Sequence, residues 1–518
     1  MSAAPDLPSD LSLADYFLDA RVREGRGERI ALRLPQASLD YRRVQGLANA
    51  VAAALLERGV DQEERVILAL PDGAAFVAAF FGVLKLGAVV VMVNPDQGPA
   101  EIAGVSACVR PRAILTDGAH RAAFRQHAVL RRRGVLAVLD EDAAGELALD
   151  GDPLPPLADF DNVPTHRDDP AIWLFSGGTT GRPKAVVQSH GAFVNTTVLY
   201  AQGALGYRPD DVTLSVPKLY FGYATGSNLL FPFAAGASAV LFPEPPTAEV
   251  LFDRIRRFRP TILINVPTVV GRMVAHPQAA RQDLSCLRFA TSAGEALPAS
   301  LYERWKATFG VELLDGLGTA EMWHVFITNT PQASKPGTLG RVVPGFEVRI
   351  CDDDGRAVAD GEVGRLWVRG RSRALGYWQD LERTCECFRG PWFVGGDLVR
   401  RDAGGFISYC GRSDDALKVG GRWLMPKEVE SCLLEHPAVA ECAVIGAADR
   451  AGLLKPYAFV VASRPAAGLE EALRTHVLER LEPYKHPRRV ILTDALPRTH
   501  LGKVDRGALR RRLEADPG

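Results

Sequence analysis

The chain has no excess of charge: 61 Lys+Arg face 62 Asp+Glu, with the signs interspersed and a net charge of −1. This removes the electrostatic case for nucleic acid as a main partner. A cysteine pattern is missing too. Eight cysteines are scattered (Cys108, Cys286, Cys351, Cys385, Cys387, Cys410, Cys432 and Cys442) with no C-x-x-C pair. Neither a disulfide framework nor a zinc site is expected, and the thiols read as buried ones in a reducing cytoplasm. The start, "MSAAPDLPSDLSLADYF", has no basic stretch followed by an apolar run, so no signal peptide is expected there. The most apolar stretch, residues 74–94, is interrupted by Lys85 and Gly87. It divides into a helix ending at Gly87 and a buried strand, "AVVVMV", rather than a membrane span. Lysine is scarce, at 10 of the 61 basic residues. A lysine inside a glycine-rich loop therefore suggests a need for a compact ammonium in place of a guanidinium fork.

At 518 residues the chain exceeds one compact core, and two or more domains are expected. Helix-like and strand-like segments alternate: "YRRVQGLANAVAAALLERGV" then "ERVILALP", "VLFDRIRRFRP" then "TILINVP", and "LYERWKATFG" then "VELLDGLG". That alternation predicts an α/β fold with doubly wound parallel sheets, whose ligands sit at the carboxyl ends of strands. From about Gly337 short strands and turns predict a small β-rich subdomain, with "DDDG" as a hairpin turn. After "GRSDDALKVGG" a separate α/β pattern begins, long enough for a small domain. The predicted division is 1–413 and 414–518. Residues 130–155 are rich in Ala, Asp and Pro and carry little signal, and no internal repeat is evident.

Four stretches carry chemistry. "SGGTTGRPK" (176–184) follows the strand-like "AIWLF". Ser176, Thr179 and Thr180 supply hydroxyls, Gly177, Gly178 and Gly181 let backbone N–H groups approach, and Lys184 adds charge, which suits the β,γ-phosphates of a nucleotide. It is not a Walker A loop, because Lys184 follows a proline and precedes Ala185. "LLDGLGTAEMWH" again ends a strand in a glycine-rich loop and brings Glu321, a carboxylate suited to Mg²⁺. In "WFVGGDLVRRDAGGFISYCGRSDD", Asp397 suits both ribose hydroxyls and Arg412 a second ribose or phosphate contact. "PRTHLGKVDR" places Lys503 on a turn before a terminal basic helix. Taken singly, each of these charges reads equally well as a solvated turn.

Together with "SAGEALP" (292–298), their order and spacing resemble the adenylate-forming superfamily of acyl-CoA synthetases, carrier-protein adenylation domains and luciferases, over nearly the whole chain. The resemblance implies a two-step reaction. A carboxylate attacks the α-phosphate of ATP·Mg²⁺, giving an acyl-adenylate and pyrophosphate; a thiol then attacks the activated carbonyl. By motif, Gly294, Glu295 and Ala296 line the adenine pocket with Asp315 and Gly316, Thr319 adds a nucleotide contact, Glu321 holds Mg²⁺, and Asp397 and Arg412 hold the ribose. Lys503 is the adenylation lysine, stabilising charge at the pentacoordinate α-phosphorus. Asp414 matches the hinge of a mobile C-terminal domain, and Lys418, Gly420 and Gly421 border a pantetheine channel for coenzyme A. Two positions depart from the family pattern: Ala320 and Gly395 stand where threonine is usual. They leave open a non-catalytic nucleotide-binding protein.

The stretch "KLYFGYATGSNLLFPFAAGA" (218–237), with "EMWHVF", resembles benzoate-CoA and 2-aminobenzoate (anthranilate)-CoA ligases. By that match Tyr220, Phe221, Gly222, Tyr223 and His324 line the acid pocket, with His324 near the carboxylate. Gly222 replaces an alanine usual in benzoate-type relatives, leaving room for a ring substituent. The implied substrates are ATP, CoA and benzoate or a small substituted benzoate, 2-aminobenzoate first. An enzyme loading a carrier protein shares the same motifs and stays open; the sequence does not set the oligomeric state.

Overall fold

The computed structural model describes residues 5–176, 184–419, 422–448, 454–463, 468–498 and 504–515. The helix expected after Gly73 forms over Ala74–Lys85, and every one of its residues is buried. A helix apolar on all sides needs cover all round, and this one joins the largest apolar cluster, which also takes in residues of both large sheets. The strand Val89–Met92 follows after a turn at Gly87, whose φ of 63° lies in the left-handed region. No helix among the described residues is long and apolar enough to cross a membrane. Lys85 is not a solvated interruption: its ammonium sits 2.7 Å from both Asp19 oxygens and 3.1 Å from Asn162 Oδ1. A buried cation is tolerated where it is paired and hydrogen-bonded in this way.

Each of the two large sheets has nine strands with a parallel centre and antiparallel edges. One runs from Arg341–Val342 through His324–Thr328, Leu313–Thr319, Phe289–Ser292, Ile262–Asn265, Val212–Ser215, Ser238–Val240 and Ile30–Arg33 to Ser38–Asp40. The other centres on Pro170–Ser176, Val89–Met92, Arg65–Ala69, Ala113–Thr116 and Val135–Glu141. The weak 130–155 segment supplies three of its strands: Val135–Glu141, Leu147–Leu149 and Asp152–Leu154. Their pairing is set by neighbours in the sheet, which local sequence does not display.

The β-rich part is a five-stranded antiparallel sheet of Glu347–Cys351, Val363–Arg369, Phe388–Arg389, Trp392–Arg401 and Ile407–Arg412. "DDDG" forms the expected turn, closed by a bridge between Cys351 and Ala357 with Gly355 at φ 81°. The C-terminal part carries a three-stranded sheet (Val439–Ala448, Leu454–Ala462, Arg489–Leu492) under the helices Pro426–Leu434, Leu469–Leu478 and Arg506–Ala515. All eight cysteines are free, but only Cys351 and Cys432 are buried and Cys385 is exposed. The expectation of uniformly buried thiols is corrected by Cys385 and Cys387, which lie on the surface helix Leu381–Cys387, a helix with no buried residue.

Candidate functional site

The site begins where strands end. Ser176 closes Pro170–Ser176, Lys184 opens Lys184–Ser189, and the two residues pair across the antiparallel ladder. The loop between them, with Gly177, Gly178, Thr179 and Thr180, lies outside the described residues. Burial, and then the Arg383 guanidinium, push the Lys184 ammonium below its ordinary range, while Glu321 pulls it back. Lys184 thus feels the Glu321 charge although 137 positions separate them in the chain (321 − 184).

Glu321 sits in the short turn Ala320–Met322, capped by the Thr319 hydroxyl, which accepts from the Met322 N–H at 3.2 Å. Thr319, expected to touch nucleotide, has at least this structural task. The Glu321 carboxylate is buried and accepts the Tyr377 hydroxyl at 2.8 Å. Tyr377 comes from the edge strand Gly376–Tyr377, in register with Val186. Burial, then the Glu321 charge, hold the Tyr377 phenol far above its ordinary range, so it stays a hydrogen-bond donor. One hard carboxylate within electrostatic reach of a lysine, with coordination left for phosphates and water, fits a magnesium ion bound mainly through its nucleotide. Gln188 steadies the same turn by donating Nε2–H to the Ala320 carbonyl at 2.6 Å. Tyr377, Arg383 and Gln188 carried no sequence signal.

On the next strand, Phe289–Ser292 leads into Gly294 at φ 87° and Glu295. Glu295 accepts from the Thr268 hydroxyl at 2.7 Å and its N–H at 3.3 Å. Asp315 is buried, and burial pushes its carboxyl well above the usual range. Asp397 and Arg412 face each other in register on Trp392–Arg401 and Ile407–Arg412, 3.4 Å apart, and Tyr409 donates to the same Asp397 oxygen at 3.4 Å. Gly395 and Ala320 thus sit beside intact charged groups. Asp414, in the turn Ser413–Asp415, is exposed and 3.8 Å from Arg412. Lys503, Gly420 and Gly421 lie outside the described residues, and Lys418 is placed only as part of the strand Leu417–Val419. Arg498, five positions before Lys503, does reach this side of the molecule, 3.9 Å from Glu295.

The acid-pocket stretch enters through Leu219, whose N–H donates to the buried Asp72 at 2.8 Å. Burial lifts the Asp72 carboxyl to about 6. Tyr220 and Phe221 pack against each other at 4.6 Å between ring centres, partly exposed, and Gly222 starts the helix Gly222–Thr225. The Tyr223 hydroxyl bonds the Thr291 hydroxyl at 2.7 Å. A methyl at Gly222 would touch Leu174 at 3.3 Å and Trp323 at 3.5 Å, so the space it vacates lies between these two side chains.

His324 is buried among the rings of Tyr200, Tyr223, Phe231 and Trp323. Its Nε2 lies 3.0 Å from the Tyr223 carbonyl and 3.1 Å from the Ser227 hydroxyl. A carbonyl only accepts, so Nε2 carries the proton. Trp323 and His324 both hold left-handed φ values, 43° and 73°. Such backbone costs about 1–3 kcal/mol per residue and gathers at functional sites. Gly226 leaves the room: a Cβ there would come 2.4 Å from His324 Cδ2. Gly226 opens a π-helical turn, Gly226–Leu230, that the sequence did not announce.

Burial pulls His324 down to about 3. The unfolded chain takes up this proton near pH 6.5, the folded chain only near 3. Stability contributed by neutral His324 is therefore present above 6.5 and lost as pH falls toward 3, by about 1.4 kcal/mol per pH unit. Urea melts between pH 5 and 7 should show a shallower slope for His324→Asn than for the parent chain. Equal slopes would mean that the ring is not held neutral.

Comparison with known proteins extends this geometry. A family model for AMP-binding enzymes matches residues 18–378, and one for the AMP-binding enzyme C-terminal domain matches 428–503. A 4-hydroxybenzoate–CoA/benzoate–CoA ligase of Rhodopseudomonas palustris is 39% identical over 97% of the chain and 94% of that protein. The crystal structure of the anthranilate CoA ligase AuaEII in complex with anthranoyl-AMP superposes with a TM-score of 0.92 at 36% identity, covering 100% of both chains. A benzoate CoA ligase from Burkholderia xenovorans LB400 superposes with a TM-score of 0.86 at 38% identity, covering 96% of this chain and 99% of that one.

Proposed function

The chain belongs to the AMP-binding enzyme family, as an AMP-forming acid–thiol ligase, and on that premise we propose that it activates a benzoate, 2-aminobenzoate first, and passes the acyl group to CoA. The observation that carries the reading is the wall of Tyr223, Trp323 and His324 beside Gly222, of which Trp323 and His324 come next in the chain after the strand Leu313–Thr319 that carries Asp315 and the turn that carries Glu321. A flat ring packs on such aromatic walls with about 1 kcal/mol beyond area burial.

In the first step the aryl carboxylate attacks the α-phosphorus and pyrophosphate leaves. Lys184 and the 176–184 loop orient the leaving phosphates. Glu321 holds Mg²⁺, which supplies charge neutralisation at the phosphates. Gly294, Glu295, Ala296, Asp315 and Gly316 receive the adenine, and Asp397 and Arg412 the ribose hydroxyls. Lys503 stabilises the pentacoordinate charge; the Arg498–Glu295 approach supports a pose in which its loop reaches the nucleotide. His324, with Nε2–H on the Tyr223 carbonyl, sets the pocket wall and need not touch the carboxylate itself. In the second step residues 414–518 turn about Asp414, Lys418, Gly420 and Gly421 border the pantetheine arm, and the CoA thiolate attacks the aroyl carbonyl, releasing AMP.

Mass spectrometry of reactions with ATP, 2-aminobenzoate and either CoA or a holo carrier protein tests this reading. The expected products are aroyl-AMP without a thiol and aroyl-CoA with one. Acylation of the carrier protein alone would replace the acceptor proposed here. For the acid itself, Gly222→Ala should fold once the Leu174 side chain, 3.3 Å from the added Cβ, gives by a few tenths of an ångström. It should lower the kcat/KM ratio of 2-aminobenzoate to benzoate about tenfold. An unchanged ratio would remove Gly222 from substrate choice.

A further inference from the structure

In the C-terminal part, the helices Pro426–Leu434 and Leu469–Leu478 pack against each other. Cys432 on the first, Glu435 at its C-cap and His476 on the second each offer one donor atom, and these atoms all lie within 4.8 Å of one another. Cys432 is buried, His476 half-buried and Glu435 exposed, so a soft donor sits inside and a hard one at the mouth. His476 Nε2 lies 3.0 Å from the Cys432 carbonyl. In the neutral ring the proton therefore sits on Nε2 and Nδ1 carries the lone pair, the arrangement by which a backbone carbonyl orients a metal-binding imidazole. The His436 ring stands edge-on to His476 at 5.3 Å, with its own Nδ1 accepting from the Ala438 N–H at 3.3 Å. It walls the cluster without being a donor to it. Arg480, 4.0 Å from Glu435, is the one cation recorded against that carboxylate among the described residues.

We propose that Cys432, Glu435 and His476 form a three-donor site for a thiophilic divalent cation, zinc by preference, with a fourth position open to water. Sulfur, imidazole and carboxylate donors together suit zinc better than magnesium or calcium. Binding forms a Zn–S bond as the Cys432 S–H proton leaves to solvent; no electron is transferred. The ion ties the two helices together in the part of the chain expected to swing, and it raises stability by binding only the folded form. Such a site runs against the expectation from sequence, because the donors lie on two helices 44 positions apart (476 − 432) and no C-x-x-C pair marks them. None of the three residues enters the chemistry of acid activation, so this site and the aryl-CoA reading stand or fall separately.

The test is a titration of the chelator-stripped full-length protein with Co²⁺, followed by absorbance. We expect a near-ultraviolet sulfur-to-cobalt charge-transfer band with visible bands of a tetrahedral ion, displaced by Zn²⁺. Cys432→Ser should abolish the charge-transfer band. Glu435→Gln, at an exposed position, should fold, keep its ligase activity and bind Co²⁺ about tenfold more weakly. No band in the parent protein, a band that survives in folded Cys432→Ser, or an unchanged affinity in Glu435→Gln would each overturn the site.

Discussion

Replacing Lys503 by alanine should slow pyrophosphate release about a thousandfold while leaving the reaction of preformed aroyl-adenylate with CoA largely intact. The asymmetry follows from where charge develops. In the first step negative charge gathers between the entering carboxylate and the α-phosphate, and an ammonium placed there is worth several kcal/mol in a site closed to water. In the proposed second step the charge develops at the aroyl carbonyl, with the C-terminal part turned so that Lys503 is withdrawn. A uniform loss in both half-reactions would point to a damaged fold. No loss in either would remove Lys503 from the chemistry. Thermal melts of Lys503→Ala should match those of the parent chain, which separates these outcomes.

Glu321→Gln should reduce adenylation by about a hundredfold, with partial recovery at high Mg²⁺. The substitution is nearly isosteric, and the amide oxygen can still accept the Tyr377 hydroxyl that the carboxylate accepts at 2.8 Å. What disappears is the charge, on a buried group whose field reaches the Lys184 ammonium. The loss should therefore appear in the affinity for ATP·Mg²⁺ and in kcat, but not in the affinity for the aryl acid. A variant as active as the parent at all Mg²⁺ concentrations would show that Glu321 does not hold the metal. Tyr377→Phe should have a smaller effect of the same kind, since it removes one hydrogen bond to the charged carboxylate, worth about 2 kcal/mol.

The elements that local pattern can specify were legible. The buried helix Ala74–Lys85 and the strand Val89–Met92 follow from an apolar run divided at a glycine, and the helix Ala248–Phe258 from the helix-then-strand alternation. The α/β class and the separate C-terminal sheet followed in the same way. The strand end that carries Ser176 was also legible, whereas the glycines expected to form a loop after Leu314 lie inside the strand Leu313–Thr319, so Asp315 is a strand residue and only Glu321 follows the strand end. The site's supporting residues were not. Tyr377 reaches Glu321 from an edge strand, Ser227 reaches His324 from a π-helical turn, and Thr268 reaches Glu295 from a helix start. Each contact joins segments remote in the chain, so it exists only after the elements that carry them have assembled. The same holds for Lys85, whose charge read as a break in an apolar run and instead meets Asp19 in the core. His324 was found by resemblance. Its neutrality and its hold on the Tyr223 carbonyl needed the ring cluster that surrounds it.

The most direct test of the account is a competitive panel of carboxylic acids scored by kcat/KM in a pyrophosphate-release assay, with CoA thioester formation measured in parallel. The panel should include benzoate, 2-aminobenzoate, hydroxy- and halobenzoates and medium-chain fatty acids. The account predicts that the benzoates lead, that 2-aminobenzoate ranks first, and that CoA thioester appears for every acid that releases pyrophosphate. A clear preference for a fatty acid, or no acid-dependent pyrophosphate release at all, would contradict it.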